Sequence, residues 1–315
     1  MKPFEQLPFA EVPDRPRVPH PYFGSEARTL AIDSKPFGRV DVHVRVLGSG
    51  PPLLLVHGLM TTSYSFRYVL APLAERFTVY APDLVGAGRS TMADASYDPD
   101  AVAVSIGEII DALGIRGAPC IGNSMGGYLM MRLAMRDPRA VSRLVNLHSP
   151  GLPTARMFAL EAALTVVPRA PSILDWLIRR NPEKWVHENV HYFDETLKSR
   201  EEHREYARPL VAPGGARALH HFLHETLAAR HMRSFEAALR DLRGVFPIPL
   251  MLVYAKRDVM VPSVVGRRLS ALLPTAEMVW LEEASHFAHV DAPQAFLAAA
   301  MPFLLSSKRV SGSPA

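Results

Sequence analysis

The stretch APCIGNSMGGYLMMRLA, residues 118–134, carries the most informative pattern of the chain, because one serine lies among three glycines between an apolar run and a helix-like run. Gly122, Ser124 and Gly126 match the pattern G-x-S-x-G. Between a strand and a helix, this pattern forms a sharp turn that strains the backbone of the serine, and the small flanking residues let the chain pass closely. The turn, here called the elbow (residues 122–126), therefore predicts a nucleophile at Ser124; the alternative is a merely structural connection.

Besides the run before the elbow, five further apolar runs have the length and composition of strands that are covered on both faces. Two earlier segments, at 27–34 and 40–50, alternate apolar and polar residues as half-buried strands do. Helix-like segments separate most of the later runs, which predicts an α/β fold with a mainly parallel, eight-stranded sheet flanked by helices. The apolar runs are 52–58, 77–83, 141–149, 248–258 and 276–286, and the helix-like segments are Tyr64–Glu75, Asp100–Leu113, Met125–Arg136 and Ser263–Leu272.

The alternation of strands and helices breaks once, between about residues 150 and 244. Only helix-like segments, such as ARMFALEAALTVV at 155–167, lie in this interval. An inserted helical lid explains it, because long insertions in surface loops cost little loop-closure entropy. We therefore predict a core at 26–150 and 245–307, a helical insert at 151–244, here called the cap segment, an extended N-terminal arm at 1–25 and a flexible tail at 308–315.

Composition excludes several classes of function. The net charge is +4, and the basic residues are spread along the chain without the cluster that nucleic-acid binding requires. The single cysteine, Cys120, cannot form an internal disulfide. The N-terminal residues lack the apolar core of a secretory signal, and no stretch reaches the length of a membrane span. These features predict a soluble, cytoplasmic protein with no nucleic-acid partner and no membrane span.

A serine hydroxyl needs a general base, and the base needs an orienting acid. His286 follows the last predicted strand and is the preferred base, whereas His289 is a rival three residues later. Asp258 follows the preceding strand, where its carboxylate can reach the second imidazole nitrogen. The order Ser124, Asp258, His286 is the order that a strand–elbow–helix architecture of this type uses. The purely structural alternatives are a helix N-cap at Asp258 and a loop histidine at His286.

Two backbone amides are predicted to stabilise an oxyanion. The Met125 N–H begins the helix after the elbow, and the Leu59 N–H follows the tight exit at His57-Gly58. The glycine-rich segment at 82–90 has neither G-x-G-x-x-G nor the lysine of a P-loop, so it is predicted to be a structural turn in which Asp83 and Arg89 brace the loops around the site.

No metal or cofactor is expected. His187 with His191, and His220 with His224, have the i, i+4 spacing of ligand pairs on a helix. Neither pair has the acidic context of H-E-x-x-H, and solvated helix surfaces produce such pairs by chance.

With these residues in hand, the chain resembles the α/β-hydrolase fold superfamily from about residue 28 to residue 305, the cap segment excepted. The sequence GNSMGG at 122–127, which contains the elbow, resembles that of carbon–carbon bond hydrolases that act on ring-cleavage products. It also resembles that of esterases and cofactor-free haloperoxidases. Two departures are LMTTS at 59–63, where the ring-cleavage hydrolases usually have a glycine- and serine-rich loop, and Ser285, where glycine is common. The haloalkane dehalogenase and epoxide hydrolase branches use an aspartate nucleophile, in contrast to Ser124.

The resemblance implies a lidded serine hydrolase whose substrate is a small or medium apolar ester. Hydrolysis of a carbon–carbon bond in a vinylogous diketone, perhydrolysis and acyl transfer to another acceptor remain alternatives with the same catalytic residues. An alternative of a different class is a ligand-binding protein on a hydrolase fold.

Overall fold

Eight strands form one sheet at the centre of the structure, a computed structural model that describes residues 2–154, 157–159, 162 and 170–306. The predicted helix at 155–167 lies mostly outside these residues, and the predicted tail at 308–315 lies wholly outside them. The strands are β1 (Glu26–Ser34), β2 (Gly38–Leu47), β3 (Pro52–Val56), β4 (Thr78–Pro82), β5 (Ala118–Asn123), β6 (Val141–Leu147), β7 (Leu250–Ala255) and β8 (Glu277–Leu281).

The order of the strands across the sheet is β1-β2-β4-β3-β5-β6-β7-β8. β1 pairs antiparallel with β2, and β2 pairs antiparallel with β4. Every later pairing is parallel. The carboxyl ends of β3 to β8 therefore lie along one edge of the sheet, which is where α/β sheets of this kind place their ligands.

Helices cover both faces of this sheet. In the described residues they are α1 (Leu70–Ala74), α2 (Pro99–Leu113), α3 (Met125–Arg136), α4 (Ala170–Arg180), α5 (Pro182–Asn189), α6 (Arg200–Val211), α7 (Gly215–His221), α8 (Ala229–Asp241), α9 (Ser263–Leu272), α10 (Ala288–Asp291) and α11 (Pro293–Leu305). The predicted helices at 100–113, 125–136 and 263–272 agree with α2, α3 and α9 within one residue.

Two apolar cores lie on opposite faces of the sheet. Alternate residues of a strand point to opposite faces, so Leu54 of β3 joins the core beneath α2, α3 and α9, while Leu55 joins the core beneath α1, α10 and α11. Cys120 of β5 is fully buried in the first of these cores. Both faces of the central strands are covered, which explains why these strands are unbroken apolar runs in the sequence.

The predicted helix Tyr64–Glu75 is divided in the structure. A 3-10 turn spans Ser63–Phe66, and α1 begins only at Leu70. Pro72 explains the division, because proline lacks an N–H and clashes with the preceding turn unless it lies in the first turn of a helix.

The described residues of the cap segment form helices α4 to α8 and contain no strand. The described part of the N-terminal arm packs along this segment. The Arg200 N–H donates to the Pro13 carbonyl at 2.8 Å, and the Arg204 guanidinium pairs with Asp14 at 2.8 Å. The Arg200 guanidinium also lies 3.5 Å from the centre of the Phe9 ring. The arm is thus bound to the beginning of α6.

None of the helices in the described ranges has the length and the apolar character that a membrane crossing requires.

Candidate active site

The elbow places Ser124 between β5 and α3 with a backbone conformation of φ 52° and ψ −120°. Few residues other than glycine adopt a positive φ, so this conformation is strained. Added side-chain atoms find no room at the flanking glycines. A Cβ atom at Gly126 would overlap the carbonyl oxygens of Val56 and His57. A Cβ atom at Gly122 would instead overlap the backbone of Gly127. Gly126 is therefore required by the close approach of β3, and Gly122 by the close approach of the first turn of α3.

His286 and Asp258 are joined by a hydrogen bond of 2.7 Å between Nδ1 and Oδ2. Asp258 follows β7 and His286 follows β8, and both side chains are nearly inaccessible to solvent. Burial alone would raise the pKa of Asp258, but the charge and the hydrogen bond of His286 outweigh it and hold that pKa below its ordinary value. Asp258 is therefore ionised at neutral pH and orients the imidazole.

The other carboxylate oxygen of Asp258 fixes the side chain. Oδ1 accepts hydrogen bonds from the N–H groups of Met260, at 2.7 Å, and Val261, at 2.9 Å. Asp258 thus holds the turn after β7 and contacts His286 at the same time. The N-cap of α9 is Pro262, so the alternative of a helix N-cap at Asp258 is wrong.

Ser124 and His286 line the same cavity, which has a volume of about 170 Å³. Leu59 lines the cavity as well, so the structure brings three of the predicted site residues to one place. Most of the remaining wall is apolar and comes from the core and from the cap segment. Its described residues are Met60, Pro150, Thr154, Met157, Asn189, Val190, Leu223, Leu227, Met260, Val261, Pro262, Val265 and Phe287.

The two predicted oxyanion donors lie beside Ser124. Met125 is the first residue of α3, so its N–H has no acceptor within the helix. Leu59 follows Gly58, where an added Cβ atom would lie 3.0 Å from Cβ of Ser124. The exit of β3 therefore packs directly against the elbow, and this arrangement is consistent with two amides that point to one oxyanion.

Asp83 and Arg89 brace the adjacent loops, as the sequence predicts. The Asp83 carboxylate accepts hydrogen bonds from the N–H groups of Ser63 and Arg89, each at 2.8 Å. The Arg89 guanidinium continues to Glu205 of α6 at 2.7 Å. His57 is buried nearby, and its Nε2 accepts the N–H of Leu84 at 3.0 Å. This loop therefore links the core to the cap segment.

His289, the rival base, is not among the described residues that line the cavity. Its ring is fully buried, with its centroid 5.0 Å from that of Phe66. Burial first, and then the nearby His148, Arg67 and His286, lower the pKa of His289 well below its ordinary value. The ring stays neutral and belongs to the core, so the geometry favours His286.

Two residues that the sequence did not single out also contact the site. The Asn123 side chain donates to the carbonyl of His286 at 3.2 Å and so ties the loop of the base to the elbow. His148, after β6, has a φ of 55° and a ring 5.6 Å from that of His286. Its Nε2 accepts the N–H of Ala255 at 2.7 Å, and burial lowers its pKa to about 3. His148 is therefore a neutral acceptor, and only its place at a strand end could have identified it.

The two histidine pairs of the cap segment differ in their contacts. His187 contacts the Leu7 carbonyl through Nε2 at 3.0 Å, while the rings of His220 and His224 stack 5.4 Å apart. Across the described ranges, no three His, Cys, Asp or Glu side chains lie close enough together to hold a metal ion.

With this geometry established, comparison with known proteins identifies the family. The family model described as the alpha/beta hydrolase fold matches residues 51–293. The chain belongs to the α/β-hydrolase fold family. The predicted fold, an eight-stranded, mainly parallel sheet flanked by helices, is thereby confirmed.

Several relatives of this α/β hydrolase have assigned activities. Haloalkane dehalogenase 2 of Mycobacterium tuberculosis (strain H37Rv) is 30% identical over 82% of this chain and 89% of its own length. The 2-hydroxymuconate semialdehyde hydrolase of Pseudomonas sp. (strain CF600) is 27% identical over 82% of this chain and 88% of its own. Among solved structures, the epoxide hydrolase CorEH superposes with a TM-score of 0.74 at 23% identity and covers 88% of this chain and 98% of its own.

Other relatives match this α/β hydrolase over a shorter length. An uncharacterized protein of Mycobacterium tuberculosis (strain H37Rv) is 39% identical over 108 residues, and the match spans 34% of this chain and 32% of that relative. The family thus establishes a hydrolase fold, and the bond that is cleaved has to be argued from the site.

Proposed function

We propose that the protein is a serine carboxylesterase that cleaves small to medium apolar esters through an acyl-enzyme. One observation carries the proposal: Ser124, on a strained elbow, lines an apolar cavity together with His286, whose Nδ1 is bonded to Asp258. An alcohol nucleophile, an imidazole base and a buried orienting carboxylate are the groups that acyl transfer requires.

The proposed reaction begins with attack of the Ser124 hydroxyl on the ester carbonyl. His286 accepts the hydroxyl proton at Nε2 and then donates it to the departing alcohol. Asp258 accepts the Nδ1–H and so keeps Nε2 free as the base. The N–H groups of Leu59 and Met125 stabilise the oxyanion, a contribution of about 3 kcal/mol per donor in enzymes of this type. Water, activated by His286, then hydrolyses the acyl-enzyme and restores Ser124.

The size and polarity of the cavity support an apolar substrate group. An engineered apolar cavity of about 150 Å³ holds a benzene molecule, so a cavity of about 170 Å³ accommodates a phenyl ring or a short alkyl chain. Its described lining contains no lysine and no arginine. A substrate with a buried carboxylate would thus lack a cationic partner, whereas a neutral ester incurs no such penalty.

The nucleophile distinguishes this chain from two of the proteins it resembles, the haloalkane dehalogenase and the epoxide hydrolase. The haloalkane dehalogenase and epoxide hydrolase branches use an aspartate nucleophile, whereas the elbow of this chain carries Ser124. A serine gives an ester intermediate with an acyl group, so the chemistry of Ser124 favours carbonyl substrates.

Carbon–carbon bond hydrolysis is the second candidate, because the 2-hydroxymuconate semialdehyde hydrolase matches most of the chain. Muconate-type products carry a carboxylate, for which the described lining of the cavity contains no lysine or arginine partner. A panel of aryl esters and one ring-cleavage product separates the two candidates. We expect a higher kcat/KM for the esters, and the opposite order would replace our proposal with this candidate.

The first test is a Ser124→Ala variant assayed with nitrophenyl esters of increasing chain length. We expect kcat to fall by about 10⁶-fold, the loss that removal of a serine nucleophile causes elsewhere, with an unchanged melting temperature. Ser149→Ala is the matched control, since Ser149 is a fully buried serine just beyond the neighbouring strand β6, and this variant should keep its activity.

Full activity in Ser124→Ala would contradict the proposal. If a fluorophosphonate failed to label Ser124 while a small apolar ligand raised the melting temperature, the ligand-binding alternative would be the better description.

A further inference from the structure

We propose that Asp291 is a positioning residue for His286 and that it joins the loop of the base to the cap segment. The kinetic test of this inference rests on the proposed esterase function, whereas the spectroscopic test is independent of it. Asp291 is the last residue of α10 and lies five residues after His286.

The carboxylate of Asp291 accepts hydrogen bonds from two separate parts of the chain. The Ser285 N–H donates to Oδ2 at 3.1 Å and to Oδ1 at 3.3 Å. The Phe193 N–H, from the cap segment, donates to Oδ2 at 2.8 Å. Ser285 immediately precedes His286, so a single carboxylate fixes the backbone at the base and the backbone of the cap segment.

The backbone around His286 is consequently held on both sides. Asp291 holds the N–H of Ser285, and the Asn123 side chain donates to the carbonyl of His286 itself. The Ser285 hydroxyl accepts the N–H of Phe287 at 3.0 Å and tightens the same turn. The second imidazole nitrogen of His286 can reach Ser124 only in a narrow range of backbone positions, which these bonds maintain.

On the side of the cap segment, the contact continues through residues 192–193. The ring of Tyr192 packs edge-on against the ring of Phe287 at 5.5 Å. The carbonyl of Phe193 accepts the N–H of Phe4 from the N-terminal arm at 3.1 Å. Asp291 is thus the point at which the arm, the cap segment and the loop of the base meet, and a shift of the cap segment moves Ser285.

A structural role alone would not require an ionisable group at this position. Burial raises the pKa of Asp291 to about 6, although hydrogen bonds from Ser285 and Phe193 act in the opposite direction. Within the described residues, no lysine or arginine forms an ion pair with this carboxylate. The carboxylate of this half-buried residue is therefore held by hydrogen bonds from Ser285, from Phe193 and from its own backbone, which offset the cost of removing it from water.

The test is Asp291→Asn, which keeps the shape of the side chain but replaces one acceptor oxygen with a donor NH₂ group. Asp194→Asn is the matched control, since Asp194 is a carboxylate of the same cap turn whose partners are Thr196 and Arg17. We expect Asp291→Asn to lower kcat on a nitrophenyl ester by about 10- to 100-fold with little change in KM. We also expect broadening of the downfield proton resonance of the His286 Nδ1–H, with Asp194→Asn unchanged in both.

Unchanged kcat and an unchanged resonance in Asp291→Asn would overturn the inference. Parallel losses in both variants, matched by parallel falls in melting temperature, would also overturn it, because they indicate a general stabilising role. If the wild-type protein hydrolyses no ester, the proposed function fails, and the resonance alone decides the inference.

If Asp291→Asn does not fold, hydrogen exchange of the wild-type protein provides the decision. A shared carboxylate predicts that the amides of Ser285 and Phe193 are both protected and exchange at one common opening rate. Rapid exchange at Phe193 with slow exchange at Ser285 would show that the two segments are not joined, and would reject the inference.

Discussion

At the scale of single residues, the unfavourable backbone conformation of Ser124 is balanced by its own hydrogen bonds. A non-glycine residue in a sparsely populated φ/ψ region costs about 1–3 kcal/mol. The Ser124 N–H donates to the Leu147 carbonyl at 2.7 Å, and the Ser124 carbonyl accepts the N–H of Tyr128 at 3.1 Å. The first bond ties the elbow to β6 and the second begins α3, so the strain is held by the elements on either side.

The two carboxylate oxygens of Asp258 have different partners, so one substitution can disturb the orientation of His286 without disturbing the fold. In Asp258→Asn the amide oxygen can still accept from Met260 and Val261, but the NH₂ group faces Nδ1 of His286. That donor forces the imidazole into the wrong tautomer. We expect kcat to fall by about 10⁴-fold while the urea midpoint changes little, as measured by ester hydrolysis and by equilibrium unfolding.

A fall in the urea midpoint as large as that of an ordinary core mutation would show that Asp258 acts through stability. Retention of activity would show that another acid orients His286.

At the scale of elements, the contact between β3 and the elbow makes Gly126 the least replaceable position of the elbow. A Cβ atom there meets backbone oxygens, which cannot rotate away. We therefore expect Gly126→Ala to give little soluble, folded protein. Gly107→Ala is the control, because Gly107 lies within α2 and its nearest neighbour would be a side-chain carbon at 3.5 Å. That variant should gain up to about 1 kcal/mol in helix propensity. Urea unfolding measures both, and equal stability of the two variants would refute the close-packing argument.

The cap segment is joined to the core by a buried ion pair between Arg67 and Glu202. Both side chains are fully inaccessible to solvent, and the Arg67 guanidinium also lies 4.7 Å from the centre of the Tyr64 ring. Removing one partner of such a pair leaves an uncompensated charge, so we expect Glu202→Gln to lower the free energy of unfolding by about 3–5 kcal/mol.

The control for this prediction is Glu282→Gln. Glu282 pairs with Lys256 on the surface, where its side chain is 68% exposed, and such pairs contribute about 1 kcal/mol or less. Comparable losses in the two variants, measured by equilibrium unfolding in urea, would contradict the role of burial.

The sequence predicts elements better than it predicts their contacts. The limits of α2, α3 and α9 follow from the period of their apolar residues, and Ser124, Asp258 and His286 are found because each lies just beyond a strand. The contacts of Asp291 with Phe193, and of Arg67 with Glu202, join residues far apart in the chain and leave no periodic signal. Such pairs become visible only when the fold brings their elements together.

At the scale of the whole molecule, the core and the cap segment contain several histidines that remain neutral because they are buried. Burial lowers the pKa of His148 and of His203 to about 3, and it lowers the pKa values of His57 and His289 as well. An unfolded histidine has a pKa of about 6.5. Below that pH the unfolded chain binds protons that the folded chain does not, so the free energy of unfolding falls as the pH decreases from about 6.5 towards 3.

We therefore expect the free energy of unfolding to decrease steeply on acidification, with His148 and His203 each contributing about 1.4 kcal/mol per pH unit within this window. His148→Gln should reduce the slope of the free energy of unfolding against pH by about 1.4 kcal/mol per pH unit. Glutamine keeps an acceptor for the Ala255 N–H but does not titrate. The measurement is the urea-derived free energy of unfolding at pH 4.5, 5.5 and 7.5. Identical slopes for the variant and the wild-type protein would contradict this account.

The burial of the single thiol makes its chemical reactivity a measure of how often the native structure opens. Cys120 is the single cysteine of the chain, lies four residues before Ser124 and is fully buried in β5. Burial also raises the pKa of its thiol, so the reactive thiolate is scarce while the sheet is closed. Alkylation of this thiol therefore requires that the centre of the sheet opens. Because the chain has no other thiol, the alkylation rate of the whole protein reports the rate of that opening.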